Sequence, residues 1–162
     1  MACNAARVGS ESKGEGEMNH SDIFNALRTR LEATASAPPI VWGENSPGVY
    51  DTDALAYLTP AAPFWLAYFT NTPPERLGLS KSHTMIVRLV VAIFVTPGTF
   101  ETQAEAYAQS ILDQFPTDLP LTAGNGKVTV SAMGNPQPGK MDGPHFRKNV
   151  SIPCRVIFQR SV

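Results

Sequence analysis

The run TMIVRLVVAIFVT, Thr84 to Thr96, constrains the fold more than any other part of the chain. Val87, Leu89, Val91, Ile93 and Val95 alternate with Ile86, Arg88, Val90, Ala92 and Phe94, a two-residue period rich in β-branched side chains that fits a strand. Both sets are mostly apolar. Such a strand is expected at the centre of a sheet with both faces covered, by helices on one side and, as one option, by another subunit on the other. Arg88 is its odd member: an unpaired buried cation is costly, so it is expected either to snorkel to an edge or to meet a carboxylate at a subunit contact. The run is far shorter than the roughly 20 apolar residues of a membrane span, and a soluble protein with no membrane partner is the expectation.

Two segments carry helical periodicity. Ile23, Leu27 and Leu31 recur every four residues beside Phe24 and Ala26, with Arg28, Arg30 and Glu32 opposite; Ser21 suits the cap, Asp22 the first turn, and Pro38-Pro39 ends any helix. A second helix is expected after TPGTF, capped by Thr99, with Ala104, Ala108, Ile111 and Phe115 on one face and Pro116 as its stop. Three further strands are expected: the aromatic PFWLAYFT (Pro63 to Thr70), KVTVSAM (Lys127 to Met133) and a long one from about Phe146 to Phe158. Pro153 cannot donate to a ladder, which predicts an edge or a bulge there. GNPQPGKMDGPH, between the last two strands, reads as a long mobile loop, and residues 43–62 as another, with a helical turn at Asp53 to Leu58. The fold class expected is α+β: a mixed or antiparallel sheet of about four main strands with two amphipathic helices packed on one face.

Little in the chain points to catalysis. His20, His83 and His145 are scattered without Cys or carboxylate at ligand spacing, so no metal or other cofactor is implied. TAGNGK lacks the spacing and the hydroxyl of a phosphate loop, and Asn125-Gly126 reads as a turn. Asp142 and His145 form a nominal acid and base pair, better read as solvated loop residues because catalytic pairs need rigid support. Trp42, Glu44 and Asn45 read as a structural stitch that pins a loop to the core. With 13 Lys and Arg against 14 Asp and Glu, the net charge of −1 gives no field for gripping a polyanion. Cys3 and Cys154 imply no disulfide framework, and the start lacks an apolar signal, which reads as cytoplasmic.

Taken in order, these segments form a pattern. An amphipathic helix leads to W-x-E-N at Trp42, Glu44 and Asn45, then to an aromatic strand that begins at Pro63 and to Leu77-Gly78. A strand ending in TPGT, a helix ending at Phe115-Pro116, a V-x-V strand at Val128 and Val130, and the closing V-x-I-P-x-x-V-x-F from Val150 to Phe158 complete it. Over roughly Met18 to Phe158 the chain resembles the phage tail terminators of long-tailed phages, whose relatives also serve gene transfer agents. The resemblance implies a non-enzymatic virion protein of the tail and neck, assembled in the host cytoplasm. It implies a homohexameric ring that caps the tail tube, ends tube polymerisation and joins the head-tail connector or stopper. Its partners would be itself, the major tail tube protein and the connector, with DNA only passing through the lumen. The family has no catalytic residues to carry over. The alternatives are another neck or tail-completion protein of related fold, or a small α+β ligand-binding or enzyme domain with its pocket between the Trp42 loop and the 134–145 loop. Arg88, Lys140, Met141 and Asp142 are the candidate ring or tube contacts.

Residues 1–17, MACNAARVGSESKGEGE, have nothing periodic to bury and are expected to be a disordered extension of a domain spanning 18–162. Met18 stands directly before the helix signal, and codons for Gly-Glu-Gly-Glu would be purine-rich, so translation is expected to begin there. Intact mass of the protein from its native source tests this: a species starting at Met1 refutes it.

Overall fold

The computed structural model describes residues 20–43, 61–78, 81–98, 100–124 and 126–159. Among them are two helices, α1 (His20–Glu32) and α2 (Phe100–Gln114). The strands are β1 (Ile40–Trp42), β2 (Phe64–Asn71), β3 (Glu75–Arg76), β4 (Ser82–Val95), β5 (Pro120–Ala123), β6 (Gly126–Val130), β7 (Asn135–Pro136), β8 (Lys140–Asp142) and β9 (His145–Gln159). The expectations for residues 1–17, Met18, the turn at Asp53 to Leu58, the Thr99 cap and Asn125 lie outside the described residues.

All nine strands belong to one mixed sheet in the order β1-β2-β4-β9-β6-β5, with β3 beside β4 and both β7 and β8 beside β9. Among the described residues only the β1–β2 pair is parallel. This overturns the expectation of about four main strands carrying two helices on one face. The four main strands lie close to where the periodicity puts them, with β6 stopping at Val130 short of the expected Met133, but five shorter ones extend the sheet. Those five are two to four residues long, too short to show a period, and β5 and β7 contain prolines. The helices do not lie side by side on the main strands either. α2 rests on β4 and β9, whereas α1 packs at the sheet margin against β5. The sheet curls far enough for both margins to reach α1: Phe69 of β2 stacks on Phe24 at 4.6 Å between centroids, and Gly124 after β5 lies beside Asp22.

Cross-strand partners share a face, so the register sorts the side chains. Trp65, Val87, Leu89, Val91, Ile93, Val95, Val150, Ile152, Cys154, Val156, Val128 and Val130 point to the inner face and are buried there with Ile23, Leu27 and Leu31 of α1 and Ala104, Ala108, Ile111 and Phe115 of α2. Each fully buried aliphatic side chain contributes about 1.5–3 kcal/mol of transfer free energy. The outer face of β4 is less covered than its apolar character implies: Ile86, Val90 and Phe94 are only partly buried and Arg88 is exposed.

Pro153 sits in β9, which is central and not an edge. Its carbonyl accepts the Ser131 N–H at 2.9 Å, so the missing Pro153 donor faces the same side, in the interval between the end of β6 and the start of β7. No ladder bond is lost there. The 134–145 segment is likewise tied down, by β7 and β8 pairing with β9. A Cβ at Gly134 would lie 2.5 Å from both Leu112 Cδ2 and Ile152 Cδ1, so the chain crosses closely between α2 and β9 and a larger residue there would have to displace those side chains.

One charge is buried on the inner face. Lys148 of β9, with its side chain 8% exposed, reaches Glu105 of α2 at 2.6 Å, while Glu105 is 65% exposed. Glu105→Ala leaves the ammonium without its carboxylate and is expected to destabilise the fold by about 1–3 kcal/mol. Lys148→Met removes the need for the pair and should be near neutral. Urea denaturation midpoints of the two variants test this: an unchanged midpoint for Glu105→Ala refutes it.

Candidate interaction surfaces

Trp42 ends β1 and joins three elements. Its ring stacks on Phe69 at 5.7 Å, the Arg28 guanidinium lies 4.8 Å from its centroid, and its Nε1 donates to Glu32 Oε1 at 3.1 Å. Arg28 Nε donates to the same Glu32 oxygen at 3.2 Å. The one-turn spacing of Arg28 and Glu32 presents both to the indole. Trp42 thus fastens the parallel strand β1 to α1, which no hairpin could do. Its sequence neighbours in the stitch, Glu44 and Asn45, lie outside the described residues.

The β8–β9 hairpin turns through Gly143, at φ +57°. Asp142 Oδ2 accepts from Arg147 Nη1 at 3.0 Å, and Arg147 Nε donates to Asn149 Oδ1 at 2.9 Å. So held, the Arg147 guanidinium lies 5.6 Å from the centroid of Phe94, which stacks on Phe64 at 4.7 Å. His145 meets both phenyl rings edge-on. Asp142 and His145 stand opposite each other in the hairpin register, but their side chains turn to other partners: Asp142 bonds Arg147 and His145 packs on aromatics. Lys140 is exposed and Met141 is 58% exposed. A flexible thioether held in water on a pinned hairpin is a surface suited to contact.

Arg88 stands elsewhere, on the outer face of the sheet. The structure does not bring it to Lys140, Met141 and Asp142. It lies diagonal to Arg155 of β9, which is diagonal to Lys127 of β6, all three exposed and with no ion pair among the described residues. Arg155 and Lys127 were missed in the sequence. Their alternation with buried Cys154, Val156 and Val128 was visible, but the register that aligns them with Arg88 was not. Apolar side chains accompany them: Ile86 is half-buried, Ile157 is 43% exposed and Leu77 of the β3 turn 42%.

Among the described residues no group of three His, Cys, Asp or Glu side chains converges as a metal site, and no helix is long and apolar enough to cross a membrane. Burial pushes the Cys154 thiol up to about 12, so it stays protonated and behaves as a small core hydrophobe. Among the described residues, open grooves lie between α1 and β5 and between β3, β4 and β9. Neither lies between Trp42 and the 134–145 segment.

Trp42→Ala is expected to cost about 2 kcal/mol through lost stacking, cation–π contact and hydrogen bonding, whereas Trp42→Phe keeps the stack and should cost about half as much. Thermal denaturation of both variants checks this. Equal stability of Trp42→Ala and the native chain refutes a fastening role.

No curated protein matches this chain. A solved structure whose name carries no function superposes with a TM-score of 0.62 at 18% identity, covering 90% of this chain and 100% of that one, which shows a shared fold. The family model described as phage tail terminator protein matches residues 22–158, from the first turn of α1 to the end of β9. The chain belongs to the phage tail terminator family.

Proposed function

We propose that this protein is a structural virion component, a homohexameric ring that caps the tail tube, ends tube polymerisation and offers the head-tail connector its joining surface. The family assignment supports a structural protein of the phage tail. The observation that carries the reading further is the distribution of unpartnered groups. The exposed Lys140 and Met141 on the β8–β9 hairpin and the Arg88, Arg155 and Lys127 line along β4, β9 and β6 are two distinct patches on one subunit, compatible with a ring member that meets both its neighbours and an adjacent ring. In this reading Lys140 and Met141 make the axial contact, Asp142 holds the hairpin through Arg147, and DNA passes through the lumen without being gripped. The net charge of −1 is compatible with that passage. A neighbouring neck or tail-completion protein of related fold is the second reading, and gene order separates the two: a terminator gene is expected just before the major tail tube gene.

Native mass spectrometry or light scattering of the protein, with and without tail tube protein, tests the ring. A sixfold species, alone or only on the tube, is expected; a monomer indifferent to tube protein refutes the reading. Because β7 and β8 are part of the sheet, point changes probe the hairpin better than deletion. Lys140→Glu with Met141→Asp should leave stability unchanged and reduce tube capping about tenfold or more. Normal capping by that variant refutes the axial assignment.

A further inference from the structure

The outer face of the sheet and the solvent side of α2 carry opposite charge. Among the described residues, the outer face holds Arg88, Lys127, Lys140, Arg147 and Arg155 against Glu75 and Asp142, and Asp142 is already bonded to Arg147. On the inner side lies α2, which carries Glu101, Glu105 and Asp113 and no cation of its own, although Arg30 of α1 reaches its last turn, donating to the Gln114 carbonyl at 2.9 Å. Glu105 is engaged by Lys148, while Glu101 and Asp113 are exposed and have no ion pair among the described residues. A basic line on the sheet and an acidic helix on the opposite side make these two surfaces complementary between copies of the chain.

From this complementarity we infer that the solvent side of α2 on one copy docks on the Lys127, Arg155 and Arg88 line of the next. The inference rests on the ring reading and deepens it by naming the surfaces that meet. The two surfaces are comparable in length. The three cations are diagonal neighbours across β6, β9 and β4, each step about 7–8 Å, so the line spans about 15 Å. Glu101 and Asp113 are twelve residues apart on α2, about 18 Å along its axis and about 120° apart around it, so they border the helix's solvent side at its two ends. The partly covered Ile86, Val90 and Ile157 beside the cations supply apolar area that a contact would remove from water. Because the two surfaces lie on opposite sides of one subunit, the contact is heterologous, and repeating it closes a ring when the rotation permits. A nucleic acid strand on the same cations is the competing occupant. Charge complementarity within the chain itself favours the second copy.

Two charge-reversal variants test the contact: Arg88→Glu with Arg155→Glu, and Glu101→Lys with Asp113→Lys. All four positions are exposed, and circular dichroism with thermal denaturation checks that both variants fold. Sedimentation velocity is run on each variant, on their equimolar mixture and on the native chain, at about 50 mM and about 500 mM salt, with tail tube protein added where the native ring needs it. The native ring is expected to weaken about tenfold or more at high salt. Each variant alone should fail to form it, and the mixture should restore it, since each variant then meets its opposite. A ring formed normally by either variant alone, or two folded variants whose mixture stays dissociated, overturns this interface while leaving the ring intact. A native chain that forms no ring under any condition overturns both readings. Retention of the native chain on single-stranded DNA, lost in Arg88→Glu with Arg155→Glu while the ring persists, assigns the cations to nucleic acid and also overturns the interface.

Discussion

The antiparallel ladder between β4 and β9 is what the rest of this structure depends on. It pairs all 14 residues of β4, from Ser82 opposite Gln159 to Val95 opposite Phe146. A slip of one residue would send Val150, Ile152, Cys154 and Val156 to the outer face and Arg155 into the core. The alternation of apolar and polar residues in β9 makes that slip prohibitive. Every other element takes its position from this pair: β2 and β3 on one side, β6, β7 and β8 on the other, and α2 across its inner face.

That arrangement also explains how the sheet tolerates its prolines. Pro153 is placed where β6 has ended and β7 has not begun, and Pro120 and Pro136 occur in strands of four and two residues at the margins. The long strands are central and the margins are short, which limits the unpaired backbone offered to a neighbouring sheet. Association through a sheet edge is accordingly less favoured by this architecture than association through side chains on its faces.

The candidate site was legible in parts, and the parts have a common cause. Arg88 stands out within an apolar run, and Trp42 as a large aromatic in a turn-rich stretch. Arg155 and Lys127 drew no notice because an outward charge in an alternating strand is ordinary. Their significance comes from adjacency, and adjacency across strands is a property of register. The reading of Asp142 and His145 as solvated loop residues left out their contacts for a similar reason: their partners, Arg147 and the Phe64 and Phe94 rings, are supplied by the register of β8, β9 and β4.

By itself the sequence determined the two helices, the four long strands and the identity of nearly every core residue, because periods of 3.6 and 2 are local properties that burial reads directly. It determined the family as well, through the order and spacing of short motifs. Only the tertiary structure decided the five short strands, which have too few residues to show a period and form because a long strand already offers them partners. It decided that β9 is central, since Pro153 forbids a donor on one side only. It also decided that α1 sits at the curled margin with Trp42 fastened to it, and that Arg88, Arg155 and Lys127 form one line, because both follow from contacts between residues far apart in the chain.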